Sequence, residues 1–237
     1  MKQAFALFWE SLKAFWEELF TLALANLCWF AVALGPLALA LSLTWFLPPS
    51  VVWAGIAASL VTAPPATAGL NLLANEMAHQ RGASLSLFWR GFREYFWPAL
   101  GMGMLNVVLL VVIASNYFFY GNFQGRWVLW VQGAWAAVGL FWAAIQVYLY
   151  PFLMEQIPRN VLLPFRNSIF LTLATPLVTF TALVLTTITL ALSVVLALPL
   201  LAGGISLATL YANKVTVTKL RDFRKLHEPT EDATESP

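Results

Sequence analysis

Charge is what this chain lacks most. Only 10% of its 237 residues are Asp, Glu, Lys or Arg, where a soluble domain carries ~25%, and the deficit excludes an ordinary water-solvated fold. The net charge of +2 argues against a nucleic-acid partner, which needs clustered Lys and Arg to displace counterions from phosphates. A single cysteine, Cys28, excludes an intrachain disulfide. Both aspartates, Asp222 and Asp232, follow the last long apolar run, so an intramembrane aspartyl dyad is excluded too. His79 and His227 form no helical two-histidine zinc motif, and there is no Gly-x-Ser-x-Gly elbow or Gly-rich phosphate loop with its Lys. The expectation is therefore a protein that is not an enzyme, with no catalytic, metal or cofactor site. Ion-coupled transport usually places a carboxylate near mid-membrane, and none of the apolar runs holds one there.

What is present is apolar: 60% of the residues are hydrophobic and the mean hydropathy is +0.76. A charge at the bilayer centre is costly and a crossing takes ~20 residues, so the charge-free intervals mark the spans. Between Glu18 and Glu76 lie 57 uncharged residues, which as one helix would be ~85 Å long. That interval breaks at "FLPPS", giving spans near Leu19 to Leu47 and Val51 to Asn75. Glu94 to Arg126 encloses 31 residues and Arg126 to Glu155 encloses 28, one span each. Arg166 to Lys214 encloses 47 and turns at "ALPLLAGG", Ala197 to Gly204, giving spans near Thr172 to Leu196 and Leu198 to Val217.

Six crossings place twelve of the thirteen Lys and Arg residues on one side, with Arg126 alone opposite. The positive-inside bias then puts both termini in the cytoplasm of a cell-membrane protein. An Ala-x-Ala site in "ALALSL" offers a signal-peptide alternative, but Glu10, Glu17 and Glu18 stand where a basic leader belongs.

Residues 1–20 are expected to form an amphipathic helix lying in the interface. Phe5, Phe8, Trp9, Leu12, Phe15, Trp16, Leu19 and Phe20 recur at three- and four-residue steps, with most charges on the other side. "LSLFWRGFREYFW" repeats the device over about 83–97, and "NVLLPFRNSIF" is a weaker third copy with Pro164 suited to a first helical turn. The predicted fold is all-α: a polytopic domain over 21–220 with six transmembrane helices in three hairpins and amphipathic helices on the cytoplasmic side. Residues 221–237, polar and acidic toward the end, are expected to be a disordered tail.

Inside the second span, Pro64 and Pro65 deprive the carbonyls of Leu60 and Val61 of helical donors. Buried hydroxyls can stand in, and Thr62 and Thr67 are at hand. Small residues fall in two four-step stripes (Ala54, Ala58, Thr62, Ala66 and Gly55, Ser59, Ala63, Thr67) that permit close helix approach. Pro64, Pro65, Thr62, Thr67 and Asn71 are accordingly a candidate kink or cavity. Glu76 and Glu155 close two inward spans against the helix dipole and need compensation, with Arg81, Arg90, Arg93, Arg159 and Arg166 as candidates. Asn75, Glu76, His79, Arg90, Arg93 and Glu155 form a candidate cytoplasmic polar patch. Other polar residues in the spans, among them Asn106, Gln146, Thr209 and Asn213, are expected to make interhelical hydrogen bonds.

"NLCW" (Asn26 to Trp29), "PATA" (Pro65 to Ala68), "FWRGFREYF" (Phe88 to Phe96), "YPFL" (Tyr150 to Leu153) and "LYANKV" (Leu210 to Val215) occur in an order that resembles the YesL family, small bacterial membrane proteins grouped as a domain of unknown function. The likeness runs to about Lys225. The doubled proline at Pro64, the longer segment around Tyr117 to Arg126 and the acidic tail depart from it. Family members are often encoded beside carbohydrate uptake and degradation genes, so the resemblance implies an accessory role in sugar transport. The leading expectation is an integral membrane protein that docks to a transporter partner in the lipid bilayer. The alternative is a small carrier or channel for a neutral solute such as a sugar.

Overall fold

A computed structural model describes residues 2–156, 160–196 and 203–227. The described chain is helical throughout, with no strand among the described residues: α1 (Lys2–Glu17), α2 (Leu19–Ala33), α3 (Gly35–Leu43), α4 (Val51–Ala78), α5 (Leu85–Glu94), α6 (Phe96–Gly121), α7 (Arg126–Glu155), α8 (Leu162–Ala174), α9 (Pro176–Leu196) and α10 (Ile205–His227). Arg159, most of the turn expected at Ala197 to Gly204, and the chain beyond His227 lie outside the described residues.

Four helices, α4, α6, α7 and α9, are long and apolar enough to cross a membrane. The α1–α2 pair passes the same test together but bends by 93° at Glu18. Two expected spans depart from single membrane helices. The first divides into α2 and α3 at Leu34, two residues before Pro36. The last, α10, begins at Ile205 and runs to His227 through Lys214, Lys219, Arg221 and Arg224. Residues 221–227, assigned to the tail from sequence, are therefore helical.

α4 is the hub, touching α2, α3, α5, α6, α7 and α10. Its small-residue stripe explains how they come so close. A Cβ on Gly55 would meet the Ala40 Cβ at 2.3 Å, so α3 approaches where only glycine fits. On another side Gly69 and Gly91 let α5 lie against α4: a Cβ on Gly69 would sit 2.5 Å from the Phe88 carbonyl. Phe88 is fully buried, whereas Trp89, Arg90 and Arg93 face outward. α5 thus keeps the amphipathic character expected of it, capped by Ser84, whose Oγ accepts from the Ser86 amide.

α1 divides its aromatics between two faces rather than presenting one. Ala4, Leu7, Ser11 and Phe15 are buried, while Phe5, Trp9 and Trp16 are exposed. The buried face lies against α10, where the Tyr211 hydroxyl donates to the Ala4 carbonyl at 3.2 Å and Lys214 Nζ donates to the Glu10 carbonyl at 2.9 Å.

Packing is lopsided along the bundle axis. α4 is buried almost continuously from Pro65 to Asn75, and α7 from Val147 to Met154, at the end that carries Glu155. Toward the other end Val108, Val111, Leu129, Trp130 and Leu140 are exposed. Apolar side chains facing outward in long helices suit lipid, not water.

Candidate functional site

The prolines do not break α4, which is helical from Val51 to Ala78. Nor do the nearby threonines serve the carbonyls of Leu60 and Val61 as expected. Thr62 Oγ1 donates to the Val32 carbonyl on α2 at 2.7 Å and approaches Ala58 O at 3.1 Å, while Thr67 Oγ1 donates to the Ala63 carbonyl at 2.9 Å. The reason lies in α2: Pro36 cannot donate to Val32, four residues back, and the Thr62 hydroxyl takes its place. Pro65 is buried, and the Pro64 ring lies against α6, where a Cβ on Gly103 would meet it at 2.4 Å.

From Thr67 onward one face of α4 carries a polar residue every four positions: Thr67, Asn71, Asn75 and His79. Over twelve residues this ladder is ~18 Å long. Each rung finds a partner on a different helix. Trp29 Nε1 of α2 donates to Thr67 Oγ1 at 3.0 Å, and Tyr150 of α7 borders the same cavities as this threonine. Asn213 Nδ2 of α10 donates to Asn71 Oδ1 at 2.9 Å, and Asn75 Nδ2 approaches Asn213 Oδ1 at 3.4 Å. Asn75 Nδ2 also donates to Glu155 Oε1 at 2.7 Å, and His79 Nε2 lies 2.7 Å from the same oxygen.

The expected polar patch therefore divides in two. Asn75, His79 and Glu155 join on the ladder face. Glu76, one position round the helix, turns to Arg81 at 3.5 Å and Arg90 at 3.6 Å. The compensation foreseen for the two helix-terminal carboxylates is arginine for Glu76 and histidine with an amide for Glu155. Arg93 is exposed and belongs to neither group. A 250 Å³ cavity opens beside His79 and Glu155, bordered by Arg81, Arg221 and Arg224.

At the other end of the ladder lie two chambers, each a recess open to one side rather than an enclosed cavity. One, of about 250 Å³, lies between α4, α6 and α7 and is bordered by Pro64, Gly103 and Asn106. The second, of about 340 Å³, lies between α4, α7, α9 and α10 and is bordered by Asn71, Gln146, Thr186 and Thr209. Thr67, Trp142 and Tyr150 line both. Asn106 and Gln146 pair reciprocally, Nδ2 to Oε1 at 2.8 Å and Nε2 to Oδ1 at 3.1 Å, and Trp142 Nε1 donates to Asn106 Oδ1 at 2.8 Å.

Of the cavity candidates read from sequence, Pro64, Thr67 and Asn71 border a chamber, whereas Thr62 serves the α2 break. Asn213, Tyr150, Gln146 and Trp142 were not assigned to the site. The four-step recurrence of Thr67, Asn71, Asn75 and His79 was a readable signal for the ladder. Among the described residues no group of three or more His, Cys, Asp or Glu side chains could hold a metal. The chain matches no protein-family model, no curated protein and no solved structure.

Proposed function

We propose that the chain is a membrane carrier or channel for a small neutral solute, with the chambers beside Thr67 as its binding region and the ladder as the route toward Glu155. The observation that carries this reading is the unbroken polar face of α4, which joins the chambers to the His79–Glu155 pair. A purely structural bundle has little need to align amides along one helix face, because each interhelical hydrogen bond contributes only ~0.6 kcal/mol. Amides can exchange one another for solute or water at small cost, which suits a path that opens and closes.

The proposal includes six crossings in three hairpins, with α2–α3 and the stretch near Leu198 to Val217 completing the set, and the Glu155 end in the cytoplasm. The Lys and Arg bias supports that orientation. It also includes membership of the YesL family and the link to carbohydrate uptake, which rest on the order of the motifs quoted above.

A second reading, an accessory subunit docked to a transporter, draws on a 500 Å³ apolar groove between α7, α8 and α9 bordered by Leu140, Phe141, Leu173 and Phe180. Apolar side chains from a partner's transmembrane helix would seat in such a groove. Purified chain reconstituted alone in liposomes separates the two readings. Saturable uptake of an uncharged sugar or polyol supports the carrier; absence of uptake, with a stoichiometric transporter subunit co-purifying in mild detergent, supports docking.

A further inference from the structure

Four of the six hydroxyls of α9 follow one habit. Thr179, Thr181, Thr189 and Ser193 donate to the carbonyls of Thr175, Leu177, Leu185 and Thr189, four residues back, at 2.7 to 3.0 Å. This is the usual way for a membrane helix to satisfy its own hydroxyls. Of the other two, Thr187 is exposed, whereas Thr186 Oγ1 is buried with no hydrogen-bond partner among the described residues. It borders the 340 Å³ chamber.

An unpartnered buried hydroxyl loses its hydration with no return. Gln146 and Asn71 bring amides to the same chamber, Tyr150 and Thr209 bring hydroxyls, and Trp142 brings an indole plane. No charged side chain borders it among the described residues. The volume falls within the ~300–1,000 Å³ of small-molecule sites, and a charged guest would lose its hydration with no counter-ion in reach.

We propose that Thr186 is a ligand-binding residue whose hydroxyl engages an uncharged, hydroxyl-bearing small molecule held between α4, α7, α9 and α10. The guest lays one polar edge along Thr186 and the amides and its less polar face against Leu183 and Leu190, which also border the chamber. This deepens the carrier reading and rests on it.

The test is equilibrium dialysis of the purified full chain against radiolabelled glycerol, erythritol and myo-inositol, with lactate as a charged counterpart. At least one polyol should saturate at one equivalent while lactate does not. Thr186→Val keeps the side-chain shape and should weaken that binding at least ten-fold. Thr189→Val, which removes a hydroxyl bonded within its own helix, should leave it unchanged. Matching thermal midpoints without polyol establish that the variants fold. Failure of all three polyols to saturate, a chamber holding water only, would overturn the proposal, as would equal binding by wild type and Thr186→Val. Binding that depends on Thr186 without liposome flux would retain the site and remove the carrier; flux without such binding would do the reverse.

Discussion

The Thr62 hydroxyl reaches across from α4 to the carbonyl of Val32, 2.7 Å away, the group that Pro36 leaves without a helical donor. A proline in one helix is thus answered by a threonine in the next. Thr62→Val should therefore cost about 1 kcal/mol, by analogy with hydrogen bonds between membrane helices, and Thr62→Ser should restore most of it. Reversible unfolding in mixed detergent micelles measures both; equal stability of the valine variant and wild type would contradict the assignment.

Asn213 holds two rungs of the ladder together, donating a hydrogen bond to Asn71 and accepting a longer one from Asn75. In Asn213→Leu both amides lose a partner in an apolar setting, a loss of roughly 1–2 kcal/mol. If the ladder closes the route from the Glu155 end, the double variant Asn75→Ala, His79→Ala should open it. With Cys28→Ser and Thr209→Cys in both backgrounds, a small impermeant thiol reagent added from that end should label the double variant at least ten-fold faster. Equal labelling rates would show that the ladder is not the barrier.

Gly91 lies where a Cβ would meet Gly69 Cα and Leu72 Cβ, each at 2.9 Å. Neither neighbour can yield without moving a helix. Gly91→Ala should lower stability by ~1–3 kcal/mol, the usual range for overpacking. Gly133, with nothing within 4 Å of its Cβ position, is the control, where alanine should be neutral or slightly stabilising.

Asp222 fastens the start of α1 to α10. It accepts from Gln3 Nε2 at 3.1 Å and from Lys219 Nζ at 3.3 Å, and these contacts, the Gln3 bond first, hold its carboxyl below its ordinary value. A depressed folded-state value means that the contribution is complete above the unfolded value of about 3.9 and is lost as pH falls through the folded value. Docking of α1, followed by proteolysis at its amino end, should thus hold down to about pH 4 and loosen below it. Asp222→Asn should flatten that dependence; an unchanged acid profile in the variant would remove Asp222 from the account.

The long apolar helices were legible because the cost of charge in lipid leaves its trace in the spacing of charges. Glu94, Arg126 and Glu155 delimited α6 and α7 to within a few residues. The break inside the first span was harder to place, since it depends on the Val32 carbonyl, which Pro36 cannot serve, being served by a residue 30 positions along the chain. The same limit applies to the site. Asn75 and His79 both reach Glu155 at 2.7 Å, but the separation of Glu76 from them depends on the rotation of α4 relative to α5 and α7. Thr186 left no local mark at all. Thr187 beside it borders the same chamber, and only the burial of the Thr186 hydroxyl away from any partner among the described residues sets it apart.

The lopsided packing of the bundle carries a mechanical consequence. With side chains interlocked around Glu155 and sparse around Trp130, the far ends of α6 and α7 are held to each other by the four-residue turn between them, by the Phe119, Tyr120, Phe123 and Trp127 rings and by Gln132 Nε2, which donates to the Tyr117 carbonyl at 3.4 Å, while their outward apolar side chains suit lipid. Acyl-chain length and lateral pressure in that leaflet therefore act on the α6–α7 tip as one unit, while the base keeps its shape.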